Sequence, residues 1–520
     1  MWTVLIVALF LIALLAIWDL VQPRHAILRN FPILGHFRYL LESVGPELRQ
    51  YIVTSNDEER PFSRDQRRWV YASSKQQNNY FGFGTDNELE RSPNYLVLDQ
   101  SAFPAREPLA GEPDYDPQYQ VPCAKVLGGA RGRSGAFRPR SVISVSAMSF
   151  GSLSANAVEA IDRGCAEAGA LHNTGEGGIA PCHGHGADLI WQLGTGYFGA
   201  RDRDGNFDLA RLVDTCQSHS VRAIEVKLSQ GAKPGRGGVL PAAKITPEIA
   251  RIRGIPEDRD CLSPTHHSEF SDVDSLLDFV ERIADATGLP VGIKSAVGDL
   301  SFWDDLVQAM ASGDRGVDYV QVDGGEGGTG AAPLVFSDHV ALPFKVGFTR
   351  VYSRFAEAGL ADSVVFVGSG RLGFPDQTAL GMALGLDLVA VAREAMLAIG
   401  CIQAQKCQTG HCPTGVATQN RWLARGLEPV SKGQRLAAYV RTLRKELLWL
   451  ARAAGHPHPA LIRADQFEVL DGRFGSASAQ EVFGYQSGWG LPPAAEREAL
   501  SSWVSGAWPQ QPAKPATSAL

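Results

Sequence analysis

Residues 364–393, VVFVGSGRLGFPDQTALGMALGLDLVAVAR, read as one complete strand, turn, helix, strand unit. The runs 364–368 and 388–392 are apolar and of strand length, and 377–385 between them has helical spacing. Two strands joined by such a crossover run parallel, because an antiparallel pair needs only a short turn. Working outward from this unit, the same alternation recurs from about Arg138 to Arg393. Strands are expected at 142–146, 169–173, 223–228, 291–295 and 319–323, with helices at 155–167 and 274–286; Ser152 or Ser154 is the expected cap of the first helix. An eighth strand is expected near 189–193 or around Cys261. The pattern predicts an α/β chain built on a closed (β/α)8 TIM barrel.

The flanks differ from this core. The first eighteen residues, MWTVLIVALFLIALLAIW, carry no charge and would span about 27 Å as a helix, enough to cross a bilayer. Trp2 and Trp18 sit where interfacial aromatics belong, and Arg24, His25, Arg29 and Arg38 follow. An uncleaved N-terminal transmembrane helix at 1–22 is therefore expected, single-pass in the cell inner membrane with the catalytic body in the cytoplasm. Residues 23–137 form a polar, aromatic-rich cap or docking region, 138–400 the barrel, 401–420 a cysteine segment, 421–508 a helical region with one long helix at 433–454, and 509–520 a Pro/Ala-rich disordered tail. A net charge of −7 with no long basic run gives no basis for nucleic-acid binding. Eight unevenly spread cysteines fit a reducing compartment better than a disulfide framework.

Barrel enzymes place their chemistry at the C-terminal ends of strands. Those ends are rich here. SAMSFGSLS (146–154) brings Met148 and Ser149 with small neighbours; NTGEGG (173–178) brings Glu176; VKLSQGAKPGRGG (226–238) brings Gln230 and Lys233 on a glycine-rich loop; IKSAVG (293–298) brings Lys294. DGGEGGTGAAP (323–333) carries Asp323 and Gly328, VGSGRLG carries Gly368, Ser369 and Gly370, and VAREAM carries Ala392 and Arg393. The last two loops are where many barrels hold phosphate with backbone amides. Lys294, set in an apolar strand, suits a fixed cation facing a flavin ring. Gln230, Lys233 and Arg253 form a candidate dicarboxylate clamp, since arginine grips a carboxylate in a bidentate fork. His266 and His267 suit either polarising a substrate or packing, and PCHGHG (181–186) reads as loop structure more than as a metal site.

Cys401, Cys407 and Cys412 fall in GCIQAQKCQTGHCPTGVATQN, spaced C-x5-C-x4-C. Three thiolates from one bendable segment with no fourth downstream favour a 3Fe-4S cluster. Structural cysteines, or zinc with His411, are the competing readings, although adjacent His411 and Cys412 suit one tetrahedral ion poorly.

Taken in order, SAMSFGSLS, NTGEGG, QLGTGYFG, VKLSQGAKPGRGG followed by Arg253, SPTHH, GGTGAAP and CIQAQKCQTGHCPTGVATQ resemble the FMN-binding synthase domain of the glutamate synthase large subunit, in a stand-alone, membrane-anchored form. The resemblance covers about 138–419. It implies FMN on the barrel with Gln192 and Lys294 at flavin positions, a 3Fe-4S cluster on the three cysteines, 2-oxoglutarate on Gln230, Lys233 and Arg253, and Glu176 and Lys233 as catalytic residues. The implied reaction reduces the imine of 2-oxoglutarate and ammonia to L-glutamate. An N-substituted glutamate synthase using an alkylamine, or a non-catalytic membrane-tethered electron-transfer subunit, are the alternatives. Large members open with a glutaminase whose nucleophile is an N-terminal cysteine. This chain opens Met-Trp, so ammonia is expected from solution or a separate glutaminase. The expected electron donor is a ferredoxin, a reductase subunit or a membrane carrier. One departure lies within the motifs: Ile179 follows NTGEGG where the family usually has an acidic residue.

Overall fold

The computed structural model describes residues 2–51, 59–113 and 115–503. The disorder expected at 509–520 lies outside these described residues. Eight parallel strands close into a barrel in chain order: β1 Ile143–Val145, β2 Leu171–Asn173, β3 Asp188–Leu193, β4 Val221–Lys227, β5 Val291–Ser295, β6 Tyr319–Asp323, β7 Val365–Ser369 and β8 Leu388–Val391. Closure is made by β8 on β1, with Val389 opposite Ile143 and Val391 opposite Val145. The seven strands expected from periodicity are all present, and β3 is the eighth. The alternative near Cys261 is not a barrel strand: Cys261–Leu262 pairs with Val239–Leu240 in a separate two-stranded ribbon. Two residues are too few to span a barrel wall.

Period-two alternation sorts the barrel interior into layers. The lower layer is apolar: Leu171, Ile190, Ala223, Tyr319 and Val367 share one cluster with Cys123 and Leu127. These last two come from a short hairpin, Leu127 paired with Phe137, that closes the N-terminal mouth although it belongs by composition to the cap. Two residues further along the same strands stand Asn173, Gln192, Glu225, Gln321 and Ser369, all buried. The polar layer thus rests on the apolar one. The Tyr319 ring fits between them because Gly292 has no side chain: a Cβ there would lie 2.3 Å from the ring. The tyrosine hydroxyl donates to the Ile224 carbonyl at 3.0 Å.

The N-terminal region is helical: α1 Trp2–Val21, α2 Ala26–Asn30, α3 Leu34–Tyr51 and α4 Arg64–Ser74. Helix α1 has a mean hydropathy of 2.9 and exposed side chains almost throughout. Its one buried residue, Asp19, accepts from the Ile33 amide at 2.8 Å and lies 2.9 Å from His36 Nε2, which latches α1 to the start of α3. Ser63 and Gln66 cap α4 reciprocally. The long helix α5, Pro429–Ala453, packs on Ala155–Ala168, where Ser154 is the cap, and their glycines let the backbones approach: a Cβ on Gly164 would lie 2.7 Å from the Gly433 carbonyl. Cap and C-terminal region interlock, since Tyr95–Leu98 pairs antiparallel with Phe467–Leu470. Buried Arg444 on α5 donates to the Ala168 carbonyl at 2.8 Å and to the Gln118 carbonyl at 2.9 Å.

Gly292→Ala should destabilise the barrel by about 1–3 kcal/mol through overpacking against Tyr319. Thermal unfolding of the purified chain in detergent reads this directly. An unchanged midpoint would show that the ring does not depend on the glycine.

Candidate functional site

The C-terminal mouth of the barrel gathers charge onto one carboxylate. Glu176, in the loop after β2, lies 3.1 Å from Nζ of Lys227, the last residue of β4. Lys227 also donates to Gln230 Oε1 at 2.9 Å. Buried Lys233 donates to the Gly237 carbonyl at 3.2 Å, and buried Arg253, at the end of helix Pro247–Arg253, donates through Nη2 to the Phe150 carbonyl at 3.0 Å. Among the described residues the Arg253 Nε has no partner. The glycines of these loops are closely fitted: a Cβ on Gly177 would sit 3.0 Å from Arg253 Nη2, and one on Gly175 2.6 Å from the Ser149 amide. Ser149 itself bonds Ser152 at 2.9 Å, with Met148 packed beside the core.

The electrostatics follow from this crowding. Burial alone would push the Glu176 carboxyl up, but the charge and hydrogen bond of Lys227, then the charges of Lys233 and Arg253, outweigh it and hold the group below the ordinary carboxylate range. Burial depresses Lys233, with Lys227 and Arg236 adding repulsion against the pull of Glu176. Burial likewise lowers Arg253. The pocket therefore presents three cations and one ionised carboxylate.

Beneath it lies the polar layer of the barrel. Glu225 Oε1 accepts from Asn173 at 2.9 Å and from Gln192 at 2.5 Å, and its other oxygen has no partner among the described residues. Burial pushes the Glu225 carboxyl up against the charge of Lys294 and these two bonds. Lys294 is buried, 3.6 Å from Asp323 Oδ2. Asp323 in turn accepts from the Gly231 amide at 2.8 Å and from the Ser369 hydroxyl. An orphaned carboxylate oxygen, a loosely paired lysine and amide side chains at one level fit the polar edge of a planar heteroaromatic group such as the flavin ring.

On the β7–β8 side, Gly368 is packed by Phe344 and Leu386 and Gly370 by Phe344, so both glycines admit the ring of a neighbouring helix. Ala392 precedes the helix Arg393–Ile399. Arg393 donates to the Glu326 carbonyl, presses on Gly328, and lies 5.1 Å from the ring of Phe62; Arg371 lies 5.4 Å from that same ring. Two neighbouring guanidinium groups beside these loops suit a phosphate.

The cysteine segment runs on from that helix. Cys401 accepts through its carbonyl from Tyr71 of α4 at 2.8 Å, Lys244 donates to the Cys407 carbonyl at 2.8 Å, and Cys412 Sγ lies 3.5 Å from Thr414 Oγ1. Burial pushes the Cys401 thiol up to about 12, with Cys412 and Cys407 adding to it, and burial and Cys412 raise Cys407. Each thiol is thus within electrostatic reach of another. Gln403 and Gln405 adopt left-handed backbone at φ 56° and 52°, uncommon for non-glycine residues. His411 is exposed and turned to the Thr409 carbonyl at 2.9 Å. Among the described residues no three His, Cys, Asp or Glu side chains converge on a point that could hold a single metal ion.

Among the other sequence candidates, two histidines make structural bonds. His267 bridges Tyr197 Oη at 3.0 Å and the Lys227 carbonyl at 2.9 Å, bracing the strand that ends in Lys227, while His266 is exposed. His183 bonds the Ala180 amide at 3.0 Å. Ile179 packs against the core. The motifs pass over Glu225, and Lys227 stands inside VKLSQGAKPGRGG without being singled out; the signal of both is charge at alternate positions of an otherwise apolar strand. They also pass over Phe62, which the cap delivers between two arginines and Gln403.

A closed parallel barrel with buried titratable groups and a cationic pocket at its C-terminal mouth defines an enzyme of the β/α-barrel class. The family description "Conserved region in glutamate synthase" matches residues 134–457. A glutamate synthase large subunit-like protein, YerD, of Bacillus subtilis (strain 168) is 35% identical over 484 residues, covering 88% of this chain and 92% of that one. The large subunit-like protein of Rhizobium meliloti (strain 1021) is 31% identical over 72% of this chain and 84% of its own. An archaeal glutamate synthase [NADPH] of Methanocaldococcus jannaschii is 34% identical over 60% of this chain and 59% of its own. The chain belongs to the glutamate synthase family, oxidoreductases of the class acting on CH–NH2 donors.

Lys227→Met removes the strongest influence holding the Glu176 carboxyl down. A depressed carboxyl contributes stability that is full above its unfolded pKa of about 4.3 and lost as pH falls through the lower folded value. Without Lys227 the folded value rises toward the unfolded one, so the variant should be less stable at neutral pH and should lose less further stability as pH falls below about 4.3. Unfolding midpoints across an acid series test this, and coincident acid limbs would contradict the pairing.

Proposed function

We propose that this chain is an FMN and iron-sulfur enzyme that reductively aminates 2-oxoglutarate to L-glutamate, held at the inner membrane by α1 with its body on the cytoplasmic side. The observation that carries the reading is the convergence of Lys227, Lys233 and Arg253 on Glu176, directly above the polar layer of the barrel. Asn173, Gln192, Glu225 and Lys294 would hold the FMN ring, and Arg371 and Arg393 with the loops at Gly328 and 368–370 its phosphate. Bound there, FMN supplies a hydride equivalent; a 3Fe-4S cluster on Cys401, Cys407 and Cys412 supplies single electrons.

The protein's own groups account for the rest. Arg253, with an unused Nε, grips one carboxylate of the keto acid, and Lys233 neutralises the second. Glu176, ionised beside Lys227, accepts a hydrogen bond from the incoming nitrogen and orients it; the nitrogen attacks the keto carbon as free ammonia, its proton left to solvent. The close-packed loops at 148–151, 175–178 and 230–238 limit water around the imine. Cys407 faces the loop of Gly330, since a Cβ there would lie 3.2 Å from the Cys407 Cβ, so the cysteine segment abuts the wall of the flavin site. The anchor rests on the length and hydropathy of α1, Trp2 and Trp18 near its ends, and the basic residues that follow.

Purification in detergent with flavin and iron assays, followed by reoxidation with 2-oxoglutarate and either ammonium or alkylamines, tests the reading. Flavin reoxidised by 2-oxoglutarate with ammonium is the expected result; a chain that binds no flavin would sink it, and turnover only with alkylamines would replace the amine. Arg253→Met should raise KM for 2-oxoglutarate about 10- to 100-fold while flavin content holds. Cys407→Ser should lose cluster iron with the barrel still folded, and unchanged iron content would refute the ligand assignment.

A further inference from the structure

Positive charge also collects where the chain leaves α1, in residues that line no part of the pocket around Glu176. A cleft of about 90 Å³ is lined by Arg24, Arg38, Lys75, Lys432 and Arg435, against Glu42 as the one described acidic residue in the lining. Glu42 is taken by Arg38. Among the described residues the other four form no ion pair. Lys432, only 2% exposed, and Arg435 both donate to the Arg24 carbonyl at 3.1 Å, so two cations share one neutral acceptor. Burial, with Arg435 and Lys75 repelling, brings Lys432 down to about 7. Burial also lowers Lys75 and Arg435. Unpaired cations in a partly buried cleft are costly, and a bound anion offsets that cost.

The surroundings say where the anion comes from. On α3, Leu34, Phe37, Leu41, Val44 and Leu48 recur at helical spacing on one face and are between 41% and 69% exposed. Arg38, next to Phe37 in this helix, lines the cleft. The Asp19 latch joins α3 to the apolar α1, so an exposed apolar face, a membrane-length helix and a cationic cleft adjoin one another. A free phosphate would satisfy the cleft but leave the α3 face in water; a lipid surface satisfies both.

We propose that the cleft lined by Arg24, Lys75, Lys432 and Arg435 binds the phosphate of an anionic membrane phospholipid. The assignment rests on α1 spanning a bilayer. Its back wall includes Gly400, Ile402 and Thr414, and Tyr71, which also lines the cleft, holds the Cys401 carbonyl. The bound headgroup therefore sits against the flank of the cysteine segment and sets that segment at the membrane surface.

The test uses the full chain reconstituted in bilayers of phosphatidylcholine alone or mixed with phosphatidylglycerol, with flotation reporting insertion and native mass spectrometry counting retained lipid. Wild type should retain phosphatidylglycerol selectively. The Lys75→Gln/Arg435→Gln double variant, altered at positions outside the barrel core, should insert equally and lose that selectivity roughly tenfold or more. Lys432→Gln is the more direct change but risks the fold. Insertion with equal retention in wild type and double variant would overturn the cleft assignment while leaving α1 in the membrane. Failure to float with either bilayer would overturn the membrane placement and, with it, a lipid source. Inorganic phosphate that stabilises wild type but not the variant, with no lipid retained, would overturn the lipid in favour of a free anion.

Discussion

Everything at the mouth of this protein depends on alternation within the barrel strands. Inward positions carry apolar side chains low in the barrel and polar ones a single step of two residues higher, so Ile190 is followed by Gln192 and Ala223 by Glu225. The apolar layer, closed below by the 123–137 hairpin, removes water from beneath the polar one. Glu225 is held by Asn173 and Gln192 in a place where solvent cannot compete, which is why those bonds can fix side-chain orientation. A slip of one residue in any strand would turn both sets to the outer face of that strand and abolish the layer.

The pocket above is organised by charge imbalance. A lone carboxylate among Lys227, Lys233 and Arg253 cannot satisfy all three, and Lys233 and Arg253 fall back on backbone carbonyls of Gly237 and Phe150. Such substitutes are weaker acceptors than carboxylates. A dianionic ligand gains from exchanging them, while Lys227, bound directly to Glu176, holds that carboxyl below the ordinary range. Burial and opposite charge act against each other here, and the three cations decide the result.

Much of this was legible in the sequence because strand ends carry their chemistry in short runs. Apolar runs located the barrel strands, and NTGEGG and VKLSQGAKPGRGG located the residues that meet at Glu176. The eighth strand was ambiguous because a six-residue run, DLIWQL, and the short CL pair both look apolar, and only hydrogen-bond partners separate them. Lys227 and Glu225 were harder to single out for a different reason: each lies within a strand, and its role depends on which face it occupies. Phe62 and Tyr71 could not be read at all. Their partners, Arg393 and Cys401, are more than three hundred residues away in sequence, and no local pattern records such a contact.

Those two aromatic residues show what the N-terminal region does physically. Phe62 lies against Arg371 and Arg393, its amide and carbonyl bonding the Gln403 side chain, while Tyr71 reaches the carbonyl of Cys401. Helix α4 and the residue just before its cap thereby hold two points, Cys401 and Gln403, of the turn that leads from the last barrel helix into the cysteines. A loop containing two left-handed glutamines would be poorly determined by its own sequence, because local backbone preference opposes it. External bonds to Gln403 and to the Cys401 carbonyl supply what the loop lacks. The region that composition marks as a cap is thus a brace for the cysteine segment, and Trp69 of α4, donating to Glu446 of α5 at 3.0 Å, ties that segment to the long helix packed on the barrel.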